Sequence, residues 1–236
     1  MAIIHFGLYL IPEAGDFYDH GSAVVGYDIR AEQAIPSPSF IHPDWNGGNR
    51  QYGWHVTITD AITIEARKLP GIIETVRSLL TCLRETNEYT LRKINIVFWP
   101  EKSQQVAMRL EPNRNVEILH DLLVATVHPM GQGSVYYDQY LTNASNYFQG
   151  DSRPSRVAKT KHFYAPYILD EFAPHLTCVN PFNGTQEERS RLLQGLRRTF
   201  EKTTELHFTT LAMVVKTREE SFYRIIEEFS LCGSVQ

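Results

Sequence analysis

Two short segments of the chain carry residue types able to move protons. Tyr52-Gly53-Trp54-His55-Val56-Thr57-Ile58-Thr59-Asp60 contains a histidine followed two positions later by a threonine, and Pro174-His175-Leu176-Thr177-Cys178 repeats the pattern. In an extended strand successive side chains alternate faces, so His55 and Thr57 share one face while Trp54, Val56 and Ile58 share the other. His175 and Thr177 separate from Leu176 and Cys178 in the same way. Cleaving a phosphodiester without a metal requires one proton taken from the attacking oxygen and one given to the leaving oxygen. A neutral and a protonated imidazole on opposite sides of phosphorus supply both. The hydroxyls of Thr57 and Thr177 would donate hydrogen bonds to the non-bridging oxygens, where charge builds up.

His-x-Ser/Thr is a weak pattern alone, and this chain contains it at His20, His55, His175 and His207. Position within an internal repeat separates two of these from the others. Each of His55 and His175 is followed by a turn, a helical run and an apolar strand; Ile94 follows His55 by 39 positions and Phe208 follows His175 by 33. His20 and His207 hold no equivalent places and read as surface or strand-end histidines. Threonine is common in strands, so one motif alone reads equally as an ordinary strand histidine beside a threonine. The matched pair favours chemistry. Neither motif has a second histidine or a carboxylate at metal-ligand spacing, so no metal and no cofactor is expected.

The elements that must position these residues are legible in outline. Ile3 to Ile11 alternates around Tyr9 and ends at Pro12, as a strand closing on a turn. Glu13 to Arg50 is rich in Gly and Pro and reads mostly as loop, with a short strand at Ala23 to Tyr27. Ile72, Ile73, Val76, Leu79, Leu80 and Leu83 recur at helical spacing from Leu69 to Asn87. Strands are expected at Leu91 to Trp99 and Gln105 to Leu110, then a helix to Val127 on which His120 and His128 are structural. Met130 to Ala165 reads as a long insertion or lid loop. In it Arg153, Arg156, Lys159 and Lys161 stand beside Tyr164 and Tyr167, a basic, aromatic edge suited to gripping phosphate and stacking a base. Thr185, with Glu188 three residues on, caps a helix to Phe200. A strand from Leu206 to Val215 and an amphipathic stretch from Ser221 to Leu231 follow.

The chain has 236 residues, 42% of them hydrophobic and 11% aromatic, enough for a substantial core in one domain spanning residues 1–236. With 23 basic against 27 acidic residues, it has no overall field to attract long nucleic acid. A nucleotide partner is therefore small or locally gripped. Cys82, Cys178 and Cys232 lack metal-ligand spacing and fit reduced thiols in a cytoplasmic protein. The apolar run Ala2 to Ile11 lacks a basic leader and is too short to span a bilayer, so no membrane association is expected.

In these residues the chain resembles the 2H phosphoesterase superfamily, which includes RNA 2',5'-ligase-like proteins and cyclic nucleotide phosphodiesterases. Tyr52-Gly53-Trp54-His55-Val56-Thr57, the Tyr9 strand, and Pro166-Tyr167-Ile168 with Glu171-Phe172 ahead of His175 look most like a bacterial branch encoded near phosphonate-utilisation genes. The resemblance implies an α+β, bilobal fold: two antiparallel sheets around a central groove, helices outside, and lobes related by a pseudo-twofold axis. It implies metal-independent cleavage of a 2',3'-cyclic phosphate or 2'-5' linkage in a small nucleotide or sugar phosphate. His55 and His175 would be the acid/base pair, with Thr57 and Thr177 on phosphate and Tyr9 and Tyr164 as further substrate-binding candidates. Two alternatives stay open: a non-catalytic module holding a nucleotide or RNA end, and an enzyme that processes or ligates short RNA ends.

Overall fold

The computed structural model describes residues 2–83, 88–100, 103–134, 137–142 and 153–231. Helix α1 is Asp16–Val25, α2 Leu69–Leu83, α3 Arg114–Val127, α4 Tyr137–Thr142, α5 Arg153–Phe163 and α6 Gln186–Thr199. The strands are β1 Ile3–Leu10, β2 Tyr27–Asp28, β3 Gln33–Ala34, β4 Val56–Glu65, β5 Tyr89–Phe98, β6 Val106–Pro112, β7 Gly133–Ser134, β8 His175–Val179, β9 Glu205–Phe208, β10 Thr210–Thr217 and β11 Arg224–Ser230. The architecture is α+β with every ladder antiparallel.

The main strand order is β11-β10-β1-β4-β8-β6-β5-β9, with β7 on β4. Its two halves are four strands each, and they meet where β4 lies beside β8 through the pair Val56 and Leu176. The two sheets expected from the sequence are thus joined at their inner edges by a short contact. Counting outward from this seam, β1 matches β6 and β10 matches β5. The chain runs β4 to α2 to β5 in one crossing of the seam, and β8 through α6 and β9 to β10 in the other. The two His-x-Thr strands therefore hold equivalent, central places, which accounts for the similar spacing that follows each motif.

Local sequence explains most of these elements. Ile72, Val76 and Leu80 form the buried stripe of α2 at four-residue intervals. Asn113 caps α3 by accepting from the Val116 amide. Thr185 and Glu188 form a reciprocal capping box on α6, as their spacing predicts. One buried cluster runs through both halves, including Phe6, Leu8, Val56, Ile58, Leu91, Met108, Leu176 and Val214.

The structure corrects four local readings. The segment read as loop with a short strand at Ala23 to Tyr27 holds α1, whose Tyr18, Ser22 and Val25 are buried. Its apolar period is interrupted by Gly21, which is present because α1 lies directly on Trp54: a Cβ there would sit 2.1 Å from the indole Nε1. The strand read as Leu206 to Val215 is two strands broken at Thr209, because β9 pairs with β5 on one side of the seam and β10 with β1 on the other. The stretch Ser221 to Leu231 contains strand β11. The insertion read as loop contains α4 and α5, held by tertiary contacts rather than by an apolar period. Residues 84–87 of the expected first helix, and Cys232, lie outside the described residues.

Candidate active site

Burial along the two motif strands follows the alternation read from the sequence. Trp54, Val56 and Ile58 are buried while His55 and Thr57 are partly open; Leu176 and Cys178 are buried while His175 and Thr177 are partly open. Trp54 lies against Phe200, with ring centroids 5.4 Å apart and planes 8° apart, and thereby anchors the residue before His55. The antiparallel pairing of Val56 with Leu176 sets the geometry of the seam. Continued by one residue either way, that register places His55 opposite Thr177 and Thr57 opposite His175. The two histidines are then diagonal cross-strand neighbours on one face, a relationship that sets residues about 7 to 8 Å apart, with their Cβ atoms somewhat closer. A tetrahedral phosphate fits between two imidazoles at that separation.

Both imidazoles are oriented in the same way. His55 Nδ1 lies 3.0 Å from the Gly53 carbonyl and His175 Nδ1 lies 2.9 Å from the Ala173 carbonyl, two residues upstream in each case. A carbonyl only accepts, so each Nδ1 carries the proton and each Nε2 is left with a lone pair in the neutral ring. Gly53 reaches this geometry with φ of 69°, a left-handed backbone angle that favours glycine. The Thr57 hydroxyl lies 3.1 Å from His55 Nε2 and donates to it.

The two sides differ in what flanks them. Tyr9 stacks on His55 with centroids 3.8 Å apart and planes 17° apart, and Tyr52 stands 6.1 Å away on the same side. Tyr9 itself is buried. Its ring therefore backs the imidazole, a different place from the direct substrate contact expected of it. On the other side Trp99 lies 4.8 Å from His175, tilted by 60°, and the Arg109 guanidinium lies 5.7 Å from the Trp99 ring.

Burial, joined by the neighbouring His175, lowers the His55 pKa to about 4 against the opposing backbone acceptors at Gly53 and Tyr52. Burial also lowers His175, against the Ala173 carbonyl. Both rings are therefore mainly neutral near pH 7.

Other residues singled out from the sequence lie elsewhere. Tyr164 packs edge-on against Tyr137 and its hydroxyl donates to the Gly131 carbonyl at 3.4 Å, beside Ile62. Ile62 is five residues along β4 from Thr57, roughly 16 Å at strand rise. Tyr164 thus does not join the paired motifs. Arg156 and Lys159, expected on a phosphate-gripping edge, are engaged by acids: Arg156 Nη2 is 2.7 Å from Glu171, and the buried Lys159 is 2.5 Å from Asp170 and 3.4 Å from Glu171. These pairs fix α5 to the segment that leads into β8. His120 is structural as expected, its Nδ1 donating to the Ile58 carbonyl at 2.6 Å and its Nε2 accepting from the Leu169 amide at 2.9 Å. His128 Nδ1 donates to the Phe163 carbonyl.

Sequence reasoning missed Trp99 and Arg109. Arg109 had a faint signal, as the one charge inside the apolar alternation Val106 to Leu110. Trp99 had none, since an aromatic residue ending a strand is ordinary. Among the described residues no group of three or more His, Cys, Asp or Glu is placed to hold a metal ion, and no helix is long and apolar enough to cross a membrane.

No family model and no curated protein matches the chain. Solved structures with a similar course include apo Escherichia coli LigT, at 10% identity over 99% of this chain and all of that one, TM-score 0.47. A second is described as a phosphoesterase, at 11% identity over 97% and 99%, TM-score 0.46. A third is Kluyveromyces marxianus Usb1, at 9% identity over 95% and 98%, TM-score 0.40. At these values no residue role carries across, and the roles below rest on the geometry of this chain.

Proposed function

We propose that the chain is a metal-independent phosphodiesterase of the two-histidine type, acting on a 2',3'-cyclic phosphate or 2'-5' linkage in a small nucleotide or sugar phosphate. The observation that carries this reading is the seam register. It sets two identically oriented imidazoles diagonally across one face, each opposite the other motif's threonine.

In this mechanism the phosphate lies between the rings and the Thr57 hydroxyl turns from His55 Nε2 to a non-bridging oxygen. The Thr177 hydroxyl donates to another. A water attacks phosphorus and gives its proton to His55 Nε2 as the new P–O bond forms. The sugar P–O bond on the opposite side breaks, and the leaving oxygen takes the proton from His175 Nε2. His55 is assigned as base because its Nε2 already accepts from the Thr57 hydroxyl and burial, which holds its pKa to about 4, keeps the ring neutral near pH 7. The phosphate charge favours the imidazolium form of His175. No step calls for a metal or other cofactor.

The test is turnover of 2',3'-cyclic nucleotides and 2'-5' dinucleotides in excess EDTA, with product regiochemistry read by phosphorus NMR. Cleavage to a single phosphomonoester isomer supports the reading. Binding without turnover across the panel leaves a nucleotide-holding module instead. Joining of RNA ends would identify the ligating alternative, which the net charge of −4 does not favour.

A further inference from the structure

Outward from the seam, the two halves of the site face are unlike. On the β1 side, Tyr9 lies opposite Thr57 and Ala212 lies opposite Tyr9, and both are buried. Rings close that side: Tyr52 stacks on Tyr223 at 4.9 Å, and the Tyr223 amide donates to the Gln51 carbonyl at 2.8 Å. On the β6 side, Arg109 lies opposite His175 and Asn95 lies opposite Arg109. Arg109 is half-buried and Asn95 is exposed. Residues directly opposite in a ladder share a face, so His175, Arg109 and Asn95 form one polar row across β8, β6 and β5.

Arg109 has no carboxylate within ion-pair distance among the described residues, unlike Arg156 and Lys159. Its guanidinium stands over Trp99, the residue that follows β5, and that indole in turn lies 4.8 Å from the His175 ring, so the arginine head and the imidazole share one aromatic neighbour. The Arg109 backbone, on the next strand out, lies about 5 Å further from the seam than that of His175. Thr57 and Thr177 already address that phosphate. A half-buried arginine on an aromatic ring, with its fork free of protein acids, is a ready receptor for a planar or tetrahedral anion.

We propose that Arg109 binds a second anionic group of the substrate, a phosphate ester, and that the substrate body extends from the seam over β6 and β5, past Trp99 and Asn95. The substrate class is thereby narrowed to phosphodiesters bearing a further phosphate. This inference rests on the phosphodiesterase reading for its catalytic arm but has a binding arm of its own.

In the binding arm, calorimetry compares a nucleoside 3',5'-bisphosphate with the nucleoside 3'-phosphate. The native protein should prefer the bisphosphate by roughly 10- to 100-fold, the worth of one charge-assisted contact. Arg109→Ala should abolish that preference while leaving affinity for the monophosphate within about twofold, and Arg109→Lys should keep part of it. In the catalytic arm, a nucleoside 2',3'-cyclic phosphate is compared with its 5'-phosphorylated counterpart; Arg109→Ala should raise KM for the second alone. Equal losses for both ligands would put Arg109 on the reacting phosphate and overturn the proposal, as would equal affinities in the native protein or binding of neither ligand. A bisphosphate preference that vanishes in Arg109→Ala, in a protein that turns over no diester, upholds the second-anion site while refuting the phosphodiesterase reading.

Discussion

Val56 lies directly opposite Leu176, and this pairing brings the two His-x-Thr motifs onto one face. Both side chains are buried beneath the sheet, so the residues on either side of each turn toward the opposite face together. A slip of one residue would turn one histidine into the core. The apolar alternation of both strands therefore protects the site register as well as the fold.

On the proposed mechanism, removing either paired imidazole should cost most of the activity. His55→Ala and His175→Ala are each expected to lower turnover by about 10²- to 10⁴-fold in EDTA, with the circular dichroism spectrum unchanged. Near-native rates in either variant would take that residue out of the mechanism.

The pH dependence follows from the lowered imidazole pKa values. The reactive free protein has His55 neutral and His175 charged. Both pKa values lie below the ordinary 6.5, so this form is scarce at neutral pH, grows as pH falls, and is lost once both rings are charged. A plot of kcat/KM against pH should be bell-shaped with its maximum on the acid side of 6.5. The kcat profile should lie at higher pH, because bound phosphate favours the imidazolium. A kcat/KM maximum above pH 7 would contradict this assignment.

The threonines should act on the transition state more than on binding. Thr57→Val and Thr177→Val are each expected to lower kcat, by up to about 10²-fold, with smaller changes in KM. A rise in KM alone would reduce their role to ground-state binding.

The Tyr9 ring under His55 can be disturbed without touching either residue. A Cβ at Gly7 would sit 2.9 Å from the Tyr9 ring and 3.3 Å from the Thr59 carbonyl. Gly7→Ala should push the ring against the imidazole and lower kcat by about 10-fold or more, whereas Tyr9→Phe, which keeps the stack, should stay within a few-fold. Full activity in Gly7→Ala would show that the stack does not hold the imidazole in place.

Acid sensitivity of the fold should trace in part to His128, a fully buried ring whose pKa burial lowers to about 4. In the unfolded chain it titrates near 6.5, so the unfolded state binds the proton first as pH falls. Stability is fully present above 6.5 and drains away toward about pH 4, by roughly 3 kcal/mol for this one group. His128→Asn, which keeps a donor for the Phe163 carbonyl, should flatten urea midpoints measured from pH 7.5 to 4.5. Parallel slopes for the two proteins would assign the acid loss to other groups.

The sequence by itself determined what is local. Alternation in Trp54 to Ile58 and in His175 to Cys178 set which side chains face outward, and helical spacing and a capping box set α2 and α6. Glycine interruption hid α1, and the break at Thr209 was invisible because Leu206 and Phe208 of β9 lead straight into the apolar run of β10. Only the tertiary structure decided that His55 and His175 share a seam, that Tyr9 backs one imidazole, and that Arg109 and Trp99 flank the other. These relations pass through ladder pairs between distant segments, and no short-range period encodes which strand will lie beside which. The same reason keeps Tyr164, Arg156 and Lys159 from the paired motifs: the packing of α5 against residues 169–171 gives Arg156 and Lys159 acidic partners, and Tyr164 packs on Tyr137 and the Gly131 carbonyl.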